Sequence, residues 1–176
     1  MSKVLFVIPA YNEEENIDKV IKEIKKDVSY ADIVVINDCS KDNTKKIVEN
    51  NDIKCITVPF NLGYAWAVQT GIKYAKEHDY DYVIQFDADG QHIASEAVRM
   101  LNKMKEEKVD IVIGSRYLEK GRYEIKFFRK IGADLFSFLI KIFSGKKITD
   151  PLSGFQCLNK KVIDRYSKLR KISRVS

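Results

Sequence analysis

The sequence predicts an α/β fold in which a mostly parallel, Rossmann-like sheet carries helices on both faces. Short apolar runs rich in β-branched residues recur along the chain, and stretches with the period of a helix separate them. Such alternation is typical of parallel strands joined by helices that pack across the sheet. Of the 176 residues, 45% are hydrophobic, which is enough for one core. We therefore expect a single domain over residues 1–176.

Five runs are predicted to be buried strands because each is short, continuous and apolar. The first run meets three glutamates and not a small-residue cleavage site, which excludes a signal peptide. No window of the sequence reaches the ~18 uninterrupted apolar residues of a membrane-spanning helix, so the chain as given is not expected to cross a bilayer. The runs are KVLFVI (3–8), DIVVIN (32–37), IKCITV (53–58), DYVIQF (81–86) and DIVIGS (110–115).

The stretches between the strands have the apolar period of amphipathic helices. Asn12 is predicted to cap the first helix, with the glutamates 13–15 at the positive end of its dipole, and Ser40 or Asp42 to cap the second. The third helix, within FNLGYAWAVQTGIKYA, has a small residue at every fourth position. This spacing gives a flat face that lets the helix backbone approach the sheet closely. The small residues are Gly63, Ala67, Gly71 and Ala75, and the first and fourth helices show apolar faces at Ile17, Val20, Ile21 and Ile24 and at Ala97, Val98, Leu101 and Met104.

Charge and cysteine content narrow the class of protein. Residues 1–114 carry 15 Lys and Arg against 20 Asp and Glu, whereas residues 115–176 carry 16 against 5. This uneven distribution predicts that the basic third meets an anionic partner, which is phosphate, an acidic membrane surface or nucleic acid. The three cysteines have neither a pairing pattern nor metal-ligand spacing, which favours a reducing compartment and a role as small buried side chains.

Polar side chains follow the predicted strands at the edge where this class of fold binds its ligands. In a doubly wound sheet the ligand crevice lies beyond the carboxyl ends of the strands. We therefore expect the residues at those ends to form one site. They are mostly polar or acidic and end in one arginine: Pro9, Ala10, Tyr11, Glu13, Asn37, Asp38, Asn61, Asp87, Asp89, Gln91, Ser115 and Arg116.

Asp87 and Asp89 directly follow a strand that should be buried, so their charges need a compensating partner. Two carboxylates with few other protein ligands suit Mg²⁺ or Mn²⁺, which complete their shells with water and phosphate oxygens. Gly90 permits the sharp turn that points both carboxylates into one crevice. Arg116, at the next strand end, adds a cation with bidentate geometry for phosphate. The pair therefore predicts a metal-bound nucleotide diphosphate.

An Asp-x-Asp pair has other interpretations, some of which the sequence excludes. An isolated pair is about as often an ordinary surface turn. A calcium loop would need a glutamate at the twelfth position, which is Val98, and a zinc site would need cysteines near His78 or His92. A phosphotransferase that uses Asp87 as its nucleophile stays open as an alternative, although such enzymes place the pair after their first strand.

Six segments, taken in order, resemble the family 2 glycosyltransferases of the GT-A fold, and within them the dolichyl-phosphate sugar synthases and their bacterial polyprenyl-phosphate relatives. The segments are VIPAYNEEENI, VVINDCSKDNT, FNLGYAWAVQTGIKYA, FDADGQH, VIGSRY and TDPLSGFQCLNKKVI, and they span about residues 4–163. Asn37 departs from the family pattern, which often has an aspartate there. The resemblance implies a nucleotide-binding part over about residues 1–116 and an acceptor- and membrane-facing part over about residues 117–176.

The resemblance also implies roles for individual residues. Asp87 and Asp89 would bind the metal, with Asp89 as the indispensable ligand, and Arg116 would neutralise phosphate charge. Asp150 matches a candidate general base of the family, and an Asp-Pro turn former is its alternative interpretation. The nucleotide would contact Pro9, Ala10, Tyr11, Glu13, Ile36, Asp38, Asp87, Ala88, Gln91 and Arg116.

The implied reaction is the metal-dependent, inverting transfer of a sugar from a nucleotide diphosphate sugar to an acceptor, which we expect to be a polyprenyl phosphate. The segment 127–147 mixes a long apolar face with basic residues, which predicts either an interfacial helix on an anionic leaflet or an ordinary core helix. Lys120, Arg122 and Lys126 would lie near the lipid head group. We thus expect a cytoplasmic protein that is peripheral at the inner face of the membrane, with Ser176 as the end of a clipped chain or of one whose partner supplies the anchor.

A nucleic-acid-binding module is the alternative interpretation of the basic third. Its aromatic residues lie among aliphatic ones and not on an open platform between charges, and no nucleic-acid-binding motif is found. We therefore expect no nucleic-acid partner.

Overall fold

The computed structural model of the chain describes residues 2–114, residue 150 and residues 153–168. Each of the five predicted runs forms a strand, and a further strand that the sequence did not predict follows later in the chain. The strands are β1 (Val4–Ala10), β2 (Asp32–Asn37), β3 (Lys54–Thr57), β4 (Tyr82–Gln85), β5 (Ile111–Ile113) and β6 (Gln156–Asn159). The helices are α1 (Ile17–Asp27), α2 (Thr44–Asn50), α3 (Tyr64–Glu77), α4 (Ala94–Glu107) and α5 (Lys160–Ser167).

The strands form one mixed sheet with the order β3-β2-β1-β4-β6-β5. The strands β1, β2, β3 and β4 are parallel, whereas β6 is antiparallel to both of its neighbours. The predicted α/β fold is therefore confirmed, with an antiparallel strand added to it. β6 escaped prediction because only Cys157 and Leu158 of its four residues are apolar, so it lacks the continuous apolar run that marks the other strands.

Helices cover both faces of the sheet because strand residues alternate between two apolar cores. In β1, Val4, Phe6 and Ile8 pack with residues of α1, α2 and α4, whereas Leu5 and Val7 pack with residues of α3 and α5. Successive side chains of a strand point to opposite faces, so a continuous apolar run marks a strand that is buried on both sides. The two helix layers hold the strands in place, and with them the polar residues at the strand ends.

The first helix begins later than the sequence predicts. Asn16, and not Asn12, is the residue before α1, and Asn12 has a left-handed φ of 55°. Its side chain instead accepts a hydrogen bond from the Lys41 amide at 2.8 Å, so it ties the loop after β1 to the loop after β2. For α2, Asn43, and neither Ser40 nor Asp42, is the residue before the helix. Asp42 nevertheless accepts a hydrogen bond from the amide of Thr44, the first helical residue, at 3.0 Å.

The predicted close approach of α3 to the sheet is confirmed. A Cβ atom built on Gly71 would lie 2.1 Å from Cγ1 of Val7 on β1, a distance at which no side chain fits. Ala67 and Ala75, one turn away on either side, are buried on the same face. The small residues therefore bring α3 against β1, and the first turn of α3 against the carboxyl end of that strand.

The three cysteines are free thiols, and Cys157 is fully buried, as the sequence predicts, whereas Cys39 and Cys55 are half-buried. Burial raises the pKa of Cys157 to about 12. Within the described ranges no helix is long and apolar enough to cross a membrane. The predicted interfacial segment 127–147 and the three head-group cations Lys120, Arg122 and Lys126 lie outside the described residues.

Candidate active site

A cavity of about 570 Å³ opens at the carboxyl ends of β1, β2 and β4. This is the edge of the sheet at which the strand order predicts a ligand crevice. The structure brings eight predicted site residues together here, where they meet residues from α3 and from the loop before β6. The cavity is lined by Pro9, Ala10, Tyr11, Glu13, Asp38, Tyr64, Ala67, Gln85, Asp87, Ala88, Asp89, Ser153, Gly154 and Gln156.

Seven other predicted site residues either do not line the cavity or lie outside the described residues. Asn37 is buried, Asn61 is exposed, and Ser115 lies outside the described residues. Ile36 is fully buried in the core between the sheet and α3, and it does not line the cavity. Gln91 is exposed outside the lining, and Asp150 is fully buried. Arg116 lies outside the described residues.

The carboxylate of Asp87 is held from two sides. The Tyr64 hydroxyl donates a hydrogen bond to Oδ1 at 2.8 Å, and His92 Nε2 lies 2.9 Å from Oδ2. The Asp87 side chain remains 26% exposed, so it still faces the cavity.

Asp89 lies at the exposed end of the same turn. Gly90 has a left-handed φ of 73°, which a glycine adopts without strain, and this confirms the predicted turn. The Gln91 amide donates to Asp89 Oδ1 at 3.0 Å. Ala88 is buried between the two aspartates. The turn thus places one carboxylate at the cavity wall and the other at its rim.

This donor set fits a divalent cation that receives most of its ligands from substrate and water. The carboxylates of Asp87 and Asp89 are hard oxygen donors of the kind that Mg²⁺ and Mn²⁺ prefer. In the part of the chain that the structure describes, no group of three His, Cys, Asp or Glu side chains converges on one point. A closed protein cage of those side chains is therefore not built here, and an ion between the two carboxylates would have coordination positions left for phosphate oxygens.

Asp38 has a structural contact that the sequence did not predict. Its two carboxylate oxygens accept hydrogen bonds from the backbone amides of Leu62 and Gly63 at 2.8 and 2.7 Å. The side chain lines the cavity but the residue is only 4% exposed. Asp38 therefore fixes the loop that leads into α3 and places Tyr64, the first residue of that helix, beside Asp87.

Gly154 closes the cavity from the β6 side. A Cβ atom built there would lie 2.4 Å from the Tyr64 hydroxyl and 3.0 and 3.1 Å from the two Asp87 oxygens. The loop reaches this point because β6 is antiparallel to β4, with Gln156 paired to Gln85, so that the start of β6 lies beside the carboxyl end of β4. Tyr64, His92, Ser153 and Gly154 were not predicted as site residues, since only the unpredicted β6 and the start of α3 bring them together.

Comparisons with known proteins agree with this geometry. The profile of Glycosyl transferase family 2 matches residues 5–167. UDP-N-acetylglucosamine–dolichyl-phosphate N-acetylglucosaminyltransferase of Methanococcus voltae is 29% identical, over 91% of this chain and 70% of its own. Dolichol-phosphate mannosyltransferase of Pyrococcus furiosus is 33% identical, over 92% of this chain and 47% of its own.

Among solved structures, glucosyl-3-phosphoglycerate synthase of Mycobacterium tuberculosis, in complex with Mn²⁺, UDP and glucosyl-3-phosphoglycerate, superposes with a TM-score of 0.71 at 17% identity. The match covers 92% of this chain and 58% of that one. At this identity the likeness concerns the fold, and it confirms the predicted GT-A architecture. This chain spans between about half and 70% of the length of these three proteins.

Proposed function

We propose that this chain, which belongs to glycosyl transferase family 2 and is a glycosyltransferase, moves a sugar from a nucleoside diphosphate sugar to a polyprenyl phosphate with the help of a divalent cation. The observation that carries the proposal is the convergence of Tyr11, Asp87 and Asp89 on one cavity. Two relatives named after dolichyl or dolichol phosphate support a lipid phosphate as acceptor. Family membership favours sugar transfer over the alternative in which Asp87 is a phosphorylated nucleophile.

The nucleoside would bind between the ends of β1 and β2. Tyr11 is 43% exposed at the cavity, so its ring can stack on a base. Pro9, Ala10 and Glu13 would complete this wall, with Ile36 supporting it from the core. Asp38 would face the ribose while its carboxylate holds the loop before α3.

The diphosphate would lie against the turn at Asp87, Ala88 and Asp89. These two carboxylates would hold Mg²⁺ or Mn²⁺, which when bound neutralises the negative charge that develops on the departing diphosphate. Gln91 at the rim and Arg116 would add polar and cationic contacts to the phosphates. Asp89 is exposed and can adjust to the ion, whereas Asp87 is fixed in advance by its hydrogen bonds.

The acceptor would attack the anomeric carbon on the side opposite to the diphosphate, which inverts that centre. A phosphate monoester has a second pKa of about 6, so an acceptor phosphate is largely ionised near neutral pH and needs no general base. Asp150 is fully buried, and its carbonyl accepts a hydrogen bond from the Ser153 amide. Burial and this turn support a structural role for Asp150 over a catalytic one.

The basic third would bring the enzyme to its lipid substrate. Residues 115–176 carry 16 Lys and Arg against 5 Asp and Glu, which suits an anionic membrane surface at the cytoplasmic face. Lys120, Arg122 and Lys126 belong to this basic third, and they would contact the phosphate head group of the lipid.

A binding panel tests the proposal. We expect one of UDP, GDP, CDP and TDP to bind in isothermal titration calorimetry with an affinity that rises at least tenfold when Mn²⁺ is present. Asp89→Ala should abolish the Mn²⁺-dependent part, whereas Asp27→Ala, at an exposed aspartate on the last residue of α1, should leave it unchanged. Supplied with a sugar ester of the nucleoside diphosphate that binds, the wild type should transfer that sugar to a short-chain polyprenyl phosphate and release the nucleoside diphosphate, with the product identified by mass spectrometry. Binding that ignores Mn²⁺, or a phosphoryl group trapped on Asp87, would overturn the proposal.

A further inference from the structure

We propose that His92 is a positioning residue that holds the Asp87 carboxylate in the orientation needed for metal binding. The inference rests on the proposed function, since it concerns the same metal site. His92 is 96% removed from solvent, with a relative exposure of 4%, and it does not line the cavity. It therefore acts on the site through Asp87 and not through contact with substrate.

The geometry identifies which nitrogen does this work. Nε2 of His92 lies 2.9 Å from Asp87 Oδ2, and an ionised carboxylate can only accept hydrogen bonds, so the proton of this contact is on Nε2. Tyr64 donates to the other oxygen of the same carboxylate at 2.8 Å. Held at both oxygens, the carboxylate has a fixed plane, and ligands fixed in this way bind metal more tightly than free ones.

The surroundings of His92 show that packing alone does not explain a histidine here. Its ring stacks on Phe155 with centroids 4.6 Å apart, and it meets the edge of Phe86 at 5.5 Å. The other ring nitrogen, Nδ1, is buried without a hydrogen-bond partner among the described residues. A buried unpaired nitrogen is unfavourable, and a phenylalanine would fill an aromatic site without that cost. What the histidine adds is its Nε2 hydrogen bond to Asp87.

Two substitutions of similar polarity separate positioning from packing. The amide nitrogen of glutamine reaches about as far along the side chain as Nε2, whereas that of asparagine reaches only as far as Nδ1. We expect His92→Gln to keep Mn²⁺ affinity within about threefold of the wild type. His92→Asn and His92→Phe should weaken it by about 10–100-fold, the range typical for loss of a partner that orients a metal ligand. The control is His78→Phe, because His78 is the chain's other histidine and also stacks on an aromatic ring, that of Tyr74.

The measurement is calorimetric titration of Mn²⁺ in the presence of the nucleoside diphosphate that binds the wild type, with the melting temperature of each variant recorded. Loss of affinity in the Asn and Phe variants at an unchanged melting temperature, with rescue by Gln, supports positioning. Unchanged affinity in a folded His92→Phe protein, or equal loss in the Gln and Asn variants, overturns it. A wild type that binds no metal-dependent nucleotide overturns the proposed function first, and the inference with it.

A measurement on the wild type covers the case in which these variants fail to fold. In a long-range ¹H–¹⁵N spectrum we expect His92 Nε2 to carry a proton and to shift when Mg²⁺ and the nucleotide are added, while the signals of His78 stay in place. An Nε2 without a proton, or one that does not respond to Mg²⁺ and nucleotide, would overturn the inference.

Discussion

Gly154→Ala should impair the site while leaving the fold intact. The added Cβ atom would lie 2.4 Å from the Tyr64 hydroxyl oxygen, whereas carbon and oxygen make contact at about 3.3 Å, so the hydroxyl has to move by about 0.9 Å. The same atom would lie 3.0 and 3.1 Å from the Asp87 oxygens, which therefore shift by a few tenths of an ångström. A displacement of about this size in a catalytic arrangement lowers the reaction rate by about 100-fold. We expect Mn²⁺-dependent nucleotide binding to weaken by about 10–100-fold.

The stability of Gly154→Ala should change little, because the atom that must move most is the tip of a half-exposed tyrosine. Replacing a glycine also lowers the entropy of the unfolded chain, which stabilises by about 0.4–1 kcal/mol. Calorimetric titration and urea unfolding on the same variant measure both effects. Tyr64→Phe removes the colliding hydroxyl, so adding Gly154→Ala in that background should cost less than it does in the wild type. Full binding by Gly154→Ala, or strictly additive losses in the double variant, would refute this reasoning.

Three further expectations concern the scaffold. Gly71→Ala should lower the free energy of unfolding by about 2 kcal/mol, since its Cβ would lie 2.1 Å from the buried Val7 side chain; a urea midpoint at or above that of the wild type would contradict this. Asp38→Asn places an amide NH₂ group opposite one of the two backbone donors that Asp38 accepts from. It should therefore lower the free energy of unfolding by about 1–3 kcal/mol and speed amide hydrogen exchange at Leu62 and Gly63; unchanged exchange at both amides would contradict this. Burial raises the pKa of Asp42, but hydrogen bonds from Thr44 and the Glu14 amide lower it by more, so that its pKa lies below the usual value. Such a group stabilises the fold above the ordinary aspartate pKa of about 3.9 and loses that contribution as pH falls through the lower folded value, so Asp42→Asn should flatten the fall in urea midpoint between pH 4 and 2.

The strands of the sheet could be predicted because they are buried on both sides. A run such as residues 33–36 is apolar at every position, because both faces of the strand pack against apolar side chains. The location of the site could also be predicted, because ligands of doubly wound sheets bind beyond the carboxyl ends of the strands. Tyr11, Asp38, Asp87 and Asp89, which were predicted from this rule, do line one cavity. The features that could be predicted are therefore those that depend on a single strand and on the residues directly after it.

The parts that could not be predicted depend on contacts between distant segments. Gly154 approaches Asp87 only because β6 inserts in an antiparallel sense beside β4. With only two apolar residues, β6 has no apolar run that would reveal this pairing. His92 lies in the loop after β4, where the sequence gives no sign that it differs from any other polar residue behind an Asp-x-Asp pair. In the structure it is buried between the rings of Phe86 and Phe155. The predicted cap at Asn12 was wrong because the Asn12 side chain accepts a hydrogen bond from the Lys41 amide, which joins the loop after β1 to the loop after β2. The sequence gives no sign of this contact between two separate loops.

The central claim is that Asp87 and Asp89 together hold a divalent cation that binds the diphosphate of the sugar donor. The most direct test is pulsed electron–nuclear double resonance on Mn²⁺ added to the protein with the nucleoside diphosphate that it binds. We expect one bound Mn²⁺ per chain with ³¹P hyperfine coupling from the diphosphate, and loss of that bound species in Asp89→Ala. Mn²⁺ that stays bound in Asp89→Ala, or that binds the wild type without ³¹P coupling, would contradict the claim.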